Sequence, residues 1–151
     1  MPRQIAMLIA FVLVTAAVSA FGAVFRPGPW YAALTKPSWN PPNWVFGPVW
    51  TILYIMIAIA GWLAWRAEGF GRAVTIWTAA LVVNGLWSWL FFGRQMIGLA
   101  LVDIVVLLGL IAAFIATTWT SARTAALLFI PYFAWVAYAS TLNGAIWMLN
   151  R

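Results

Sequence analysis

The sequence predicts an all-α membrane protein: a bundle of five transmembrane helices with a proline- and tryptophan-rich loop between the first and the second. Of its 151 residues, 66% are hydrophobic and only 7% are charged, which lies outside the usual range of soluble domains. The few charged residues divide the chain into five apolar stretches, each offering the roughly 20 residues that a helix needs to cross a bilayer. A soluble helical bundle would require polar outer faces, and these stretches have almost none.

The first predicted span covers residues 5–25. Small residues recur there at a spacing of four, which allows helices to approach closely in lipid. A cleaved signal peptide is the alternative interpretation, but the apolar run is long for one.

The loop over residues 26–43 follows, and its prolines exclude a long helix. Because Trp30, Tyr31 and Trp39 make the loop too apolar for a solvated linker, we expect a lid over a cavity; an interfacial aromatic anchor is the alternative.

The second and third predicted spans carry most of the candidate site residues. In the second, residues 44–65, Phe46, Trp50 and Tyr54 are spaced four apart and therefore share one helical face. The third, residues 73–92, has Asn84 near its middle, followed on the same side by Trp87. An amide in hydrocarbon must face the bundle, where it either joins helices or contacts a ligand.

The fourth and fifth predicted spans cover residues 96–118 and 124–149. Asp103 is the only charged residue of the fourth. An acid within a span is a functional candidate, but its closeness to the interface favours a capping role or a pair with an arginine. In the fifth, Trp135, Ala139 and Asn143 share one face. A large ring, a small residue and an amide indicate either a wall with a recess or ordinary helix packing.

Composition excludes most kinds of catalysis. The chain has no cysteine and no histidine, and only two acids, so it lacks the usual nucleophiles, general bases and soft metal ligands. We therefore expect no metal site and no fixed cofactor. The net charge of +6 comes from cations spread along the chain rather than from a basic cluster, which excludes nucleic acid as an expected partner. Twelve tryptophans instead favour binding of a planar or apolar molecule.

Membrane orientation is not indicated by charge, because five spans distribute the cations evenly. One end of the predicted bundle carries Arg3, Arg66, Arg72 and Arg123, and the other carries Arg26, Lys36, Arg94 and Arg151. The positive-inside rule depends on an excess of basic residues on one side. It therefore makes no prediction for this chain.

Several spaced motifs resemble those of the TspO/MBR family, which comprises bacterial tryptophan-rich sensory proteins and mitochondrial translocator proteins. The motifs are Lys36-Pro-Ser-Trp-Asn-Pro-Pro42, Pro48-Val-Trp-Thr51 with Leu53-Tyr54, Asn84-Gly-Leu-Trp87 through Phe91-Phe92, and Pro131-Tyr-Phe-Ala-Trp135 through Leu142-Asn143. The resemblance extends over nearly the whole chain. It implies a five-helix bundle in a bacterial cell envelope, commonly a homodimer, that binds protoporphyrin IX and related tetrapyrroles.

The resemblance also implies a pocket that opens toward the first loop and is walled by helices one, two, three and five. The residues matching its ligand-binding positions are Trp30, Trp39, Phe46, Trp50, Tyr54, Asn84, Trp87, Trp135, Ala139 and Asn143. It shifts the expected role of Asn84 and Asn143 from joining helices toward ligand contact. The segment after Leu142-Asn143 lacks the tyrosine of the family's sterol-linked motif, so the sequence does not support sterol binding.

The leading functional hypothesis is a membrane receptor or carrier for a porphyrin-like ligand, with Trp50 and Trp135 stacking on the macrocycle and Lys36 meeting a propionate. A light-dependent porphyrin-degrading enzyme that uses the same two tryptophans is the alternative. A proton-coupled transporter with Asp103 as its coupling site is a further possibility, although such proteins usually carry several intramembrane ionisable groups. A regulatory scaffold would show no distinct sequence feature.

Overall fold

The computed structural model describes residues 1–151 and contains α-helices and short helical turns but no strand. Its α-helices are α1 (Pro2–Val24), α2 (Pro29–Ala33), α3 (Phe46–Glu68), α4 (Arg72–Ser88), α5 (Ile97–Thr118) and α6 (Arg123–Leu149). All except α2 belong to the five segments long and apolar enough to cross a membrane. The predicted fold class is therefore confirmed, and α2 adds one short helix within the lid loop.

The long helices form a closed ring around a central space. α1 packs against α3 and α4, α3 also packs against α6, and α5 lies between α4 and α6. The order around the bundle is therefore α1, α3, α6, α5, α4. α3 and α4 also touch each other. Five successive membrane-spanning helices alternate in direction, so neighbours in sequence are antiparallel. The loop that contains α2 connects α1 to α3 and therefore lies at the end of the bundle where α3 begins.

The outer surface is apolar. Exposed side chains on the long helices include Leu13, Ile52 and Val102, each more than half accessible. A water-soluble protein rarely exposes so much contiguous apolar surface. The bundle is therefore built to be surrounded by lipid, as its composition predicts.

The half of the bundle far from the lid is closely packed, and among the glycines Gly61 on α3 has the closest neighbours. A Cβ atom at Gly61 would lie 2.5 Å from the Trp77 indole of α4 and 2.8 Å from the Phe11 ring of α1. Phe11 and Trp77 meet edge to face with ring centroids 4.9 Å apart. The Trp77 indole N–H also donates to the Ile57 carbonyl at 2.9 Å. Three helices therefore converge where α3 has no side chain.

The end of α4 near the lid changes to a π-helical turn over Trp89–Gly93. The Arg94 N–H donates to the Trp89 carbonyl at 2.7 Å, one residue farther along than in an α-helix. Such wide turns are rare and occur often at functional sites. Here the turn carries Phe91 and Phe92, which both line the space beneath the lid.

Candidate ligand-binding site

A cavity of about 460 Å³ lies in the lid half of the bundle. Its walls come from α1, α3, α4 and α6, as the resemblance implies, and also from Ile104 and Leu107 of α5. All the candidate site residues on the long helices line this cavity: Phe46, Trp50, Tyr54, Asn84, Trp87, Trp135, Ala139 and Asn143. The helical spacings that grouped these residues in sequence therefore bring them together in space.

Aromatic rings form most of the cavity wall. Phe46 of α3 meets Trp135 of α6 edge to face at 5.8 Å between ring centroids. Trp50 lies tilted against Tyr54 at 5.4 Å. Pockets with apolar aromatic walls and few polar groups are typical of small-molecule sites, and flat indole faces suit a planar ligand.

Asn84 joins three helices and also faces the cavity. Its Oδ1 accepts a hydrogen bond from the Tyr54 hydroxyl of α3 at 2.8 Å. Its Nδ2 donates to the Tyr132 hydroxyl of α6 at 2.7 Å. The side chain is 5% exposed and lies in the cavity wall. Because an amide nitrogen carries two N–H groups, one donor of Asn84 is not used by these two bonds.

Asn143 makes a second junction between helices. Its Oδ1 accepts from the Trp87 indole N–H of α4 at 2.9 Å. Its Nδ2 donates to the carbonyl of Ile97, the first residue of α5, at 3.0 Å. Asn143 itself lies on α6 and is 2% exposed. Both cavity asparagines thus have the helix-joining role that the sequence left open, while also contributing to the cavity surface.

The lid reaches into the cavity mainly through Tyr31. This residue is 5% exposed and packs edge-on against Phe91 and Phe92, with ring centroids 6.2 and 5.5 Å away. The Lys36 ammonium lies 4.5 Å from the centre of its ring. The Tyr31 hydroxyl donates to Asn40 Oδ1 at 3.5 Å. Burial raises the pKa of Tyr31, and the bond to Asn40 opposes the rise.

Trp30 and Trp39, two of the predicted site residues, do not line the cavity. Trp30 packs edge-on against Phe91 at 5.9 Å. Trp39 is 52% exposed, and its carbonyl accepts a hydrogen bond from the Tyr138 hydroxyl. Lys36 does not line the cavity either, because its ammonium is turned to the Tyr31 ring and to carbonyls of the lid. All three residues shape the lid rather than the wall.

Sequence reasoning missed several lining residues. They include Arg26, Tyr31, Asn40 and Asn43 from the lid loop, Ser19 and Gly22 from α1, and Phe92 from the π-helical turn. The only sequence signal for Tyr31 was the high apolar content of its loop. The positions of the loop residues depend on the path of a non-periodic segment, which spacing does not determine.

The lid is fastened to α6 at two places. The Tyr138 hydroxyl binds the Trp39 carbonyl. At the other place, the Asn150 side chain accepts from the Thr35 N–H at 2.9 Å and donates to the Thr35 carbonyl at 2.8 Å. The polypeptide chain joins the lid to α1 and α3. The hydrogen bonds of Tyr138 and Asn150 therefore hold the lid on the side of the cavity mouth next to α6.

We expect Tyr138→Phe to loosen the lid without changing the ring that packs beside Trp135. Loss of one hydroxyl–carbonyl bond removes about 1 kcal/mol, which corresponds to an equilibrium constant for local opening that is about fivefold larger. Amide hydrogen exchange of the segment around Trp39 measures this local opening of the lid. Unchanged exchange in this variant would show that the bond does not hold the lid closed.

Asp103 is the one charged residue of α5. Its side chain is half-buried on α5 and is not among the lining residues. One carboxylate oxygen, Oδ2, is buried and has no hydrogen-bond partner, and the Trp135 indole N–H is the other buried side-chain polar atom in this condition. The arrangement brings no second acid near Asp103 and no clustered metal ligands.

Comparisons with known proteins agree with the motifs and the fold. Residues 9–148 match the model of the TspO/MBR family. The chain is 40% identical over 127 residues to the translocator protein of Homo sapiens, covering 81% of this chain and 75% of that protein. It is 40% identical over 149 residues to the tryptophan-rich protein TspO of Archaeoglobus fulgidus, covering 95% and 96% of the two chains.

The similarity also extends to a bacterial sensory protein. The chain is 35% identical over 145 residues to the tryptophan-rich sensory protein of Cereibacter sphaeroides, covering 96% of this chain and 92% of that one. These matches span nearly all of the five long helices and the lid. On this evidence the protein is an integral multi-pass membrane protein that belongs to the TspO/MBR family.

Proposed function

We propose that this protein is a membrane receptor or carrier of a bacterial cell envelope that binds protoporphyrin IX or a related tetrapyrrole reversibly. The observation that carries the proposal is a cavity of about 460 Å³, walled by indole and phenyl rings and covered by a lid. This volume lies within the range of about 300–1,000 Å³ that is common for small-molecule sites. The family resemblance supplies the ligand class.

Binding would rest on stacking and on a small number of polar contacts. Trp50 and Trp135 offer indole faces to the macrocycle, and each aromatic pair contributes about 0.5–1.5 kcal/mol beyond the burial of apolar area. The unused N–H of Asn84 is available to a pyrrole nitrogen. The lining residues include no histidine, cysteine or methionine, and the hydroxyls of the lining tyrosines Tyr31 and Tyr54 donate to asparagine side chains. This set of side chains favours a metal-free porphyrin over haem.

We expect the double variant Trp50→Phe, Trp135→Phe to bind protoporphyrin IX about tenfold more weakly than the parent, because the smaller rings offer less stacking area to the ligand. The measurement is a titration followed by the Soret absorbance of the porphyrin, which does not depend on the number of tryptophans. Trp44→Phe is the matched control, since Trp44 is 75% exposed and outside the cavity.

Equal affinity of the double variant and the parent would contradict the stacking model.

Porphyrin degradation is the alternative function. The closeness of Trp50 to the oxidisable rings of Tyr54 and Tyr132, at 5.4 and 6.3 Å between ring centroids, favours it. The same porphyrin complexes test it. Illumination in air separates the two functions, because only degradation converts the bound porphyrin into an open-chain pigment.

A further inference from the structure

Arg26 differs from the other cations at the lid end of the bundle. The other three each lie over an aromatic ring: Lys36 over Tyr31, Arg94 over Trp89 and Arg151 over Trp147. Arg26 has no such ring. It is also the only Lys or Arg that lines the cavity. Arg26 is therefore the one cation in the cavity wall, and its guanidinium does not lie over an aromatic ring.

The position of Arg26 places it at the mouth of the cavity. It follows α1 directly, and its Nε donates to the Ala23 carbonyl at 3.1 Å, which holds the base of the side chain against the end of the helix. A guanidinium has five N–H groups, so the terminal nitrogens remain available. The lid residues Asn40 and Asn43 line the same cavity and add neutral amide groups.

No acid of the protein neutralises Arg26. The chain has only two acidic side chains. Glu68 lies at the opposite end of α3, and Asp103 lies on α5 and does not line the cavity. A guanidinium beside an apolar cavity and without a carboxylate partner is complementary to an anionic group on a ligand, because a charge-assisted pair of this kind is stronger than a neutral hydrogen bond.

We infer that Arg26 selects for an acidic ligand: it binds a carboxylate on the edge of a planar apolar molecule whose body lies against the aromatic wall. This inference rests on the proposed function and adds the ligand class that the site prefers. It assigns to Arg26 the contact that the sequence suggested for Lys36. Tetrapyrroles with free propionates fit this description, whereas their neutral esters offer the same ring system without the charge.

The test compares protoporphyrin IX with its dimethyl ester, in the parent protein and in Arg26→Gln, in nanodiscs of phosphatidylcholine. The parent is expected to bind the diacid about five- to tenfold more tightly than the ester, a modest factor because Arg26 is exposed and its charge is screened. Arg26→Gln is expected to lose this preference by weakening only the diacid. Raising the salt concentration should reduce the preference of the parent.

Two further variants make the comparison specific. Arg94→Gln removes a cation at the same end that lies over Trp89 and outside the cavity, and it should keep the preference of the parent. Arg26→Lys keeps a positive charge and should therefore keep part of the preference for the diacid. Because the diacid-to-ester affinity ratio of each variant is compared with that of the parent, differences in lipid partitioning of the two porphyrins cancel.

The possible outcomes separate the inference from the proposed function. In one outcome the parent binds both porphyrins while Arg26→Gln keeps the preference for the diacid. In another the parent binds both while Arg94→Gln loses as much of that preference as Arg26→Gln does. Either result overturns the role of Arg26 and leaves porphyrin binding standing. If the parent binds neither porphyrin, the proposed function fails and the inference fails with it. Thermal melting of Arg26→Gln close to that of the parent confirms that any loss arises in the site.

Discussion

Gly61→Ala is expected to destabilise the bundle by about 2–3 kcal/mol, in spite of the gain in helix propensity that alanine brings. The added methyl would lie 2.5–2.8 Å from atoms of Trp77 and Phe11, so either α1 must move away from α3 or the indole must turn. Turning the indole breaks its hydrogen bond to the Ile57 carbonyl. A thermal melt in detergent should show a midpoint lower by about 5–10 °C.

Gly109→Ala is the matched control for this prediction. Gly109 lies on α5 within a span, and a Cβ atom there would meet nothing within 4 Å. The substitution should therefore leave the melting temperature unchanged or raise it slightly, since alanine favours the helix. A similar loss of stability in both variants would mean that the close approach at Gly61 does not determine the packing of α1, α3 and α4.

Asn143→Leu is expected to cost about 2–3 kcal/mol. The substitution keeps the approximate size of the side chain but leaves the Trp87 indole N–H without its acceptor. It also removes the bond that joins α6 to the Ile97 carbonyl at the start of α5. Unpaired polar groups away from water cost about 1–3 kcal/mol each, although measured helix-to-helix bonds in membrane proteins are often weaker. Because Trp87 is part of the cavity wall, porphyrin affinity should fall together with the melting temperature.

Thr118→Val controls for the removal of a buried polar group as such. Thr118 is fully buried, but its hydroxyl donates to the Phe114 carbonyl of its own helix at 2.7 Å, and that carbonyl can keep a backbone partner. The expected loss is below about 1 kcal/mol. If Asn143→Leu is no more harmful than Thr118→Val, Asn143 does not hold α4, α5 and α6 together.

The cavity wall was predictable from sequence to the extent that helical periodicity governs it. Phe46, Trp50 and Tyr54 had to share a face once α3 was predicted, and the same holds for Trp135 and Asn143 on α6. The hydrogen-bond partners of the asparagines were not predictable, because they depend on how far neighbouring helices are rotated and shifted along their axes.

The lid was less predictable, since its prolines exclude the regular repeats on which sequence reasoning relies. Its aromatic content suggested a cover for the bundle, but not which side chains point inward. Tyr31 enters the cavity while Trp30 and Trp39 stay outside it. The choice between Arg26 and Lys36 likewise depends on the path of the loop, which turns the lysine onto Tyr31.

The basic residues do not determine the orientation of this chain in the membrane, because the two ends of the bundle carry the same number of them. The end with more lysine and arginine is normally retained in the cytoplasm, and here neither end qualifies. The compartment that the cavity mouth faces is consequently decided by a narrow margin during biogenesis. In a chain so evenly balanced, we expect one added lysine at either end of the bundle to bias which side of the membrane the cavity mouth faces.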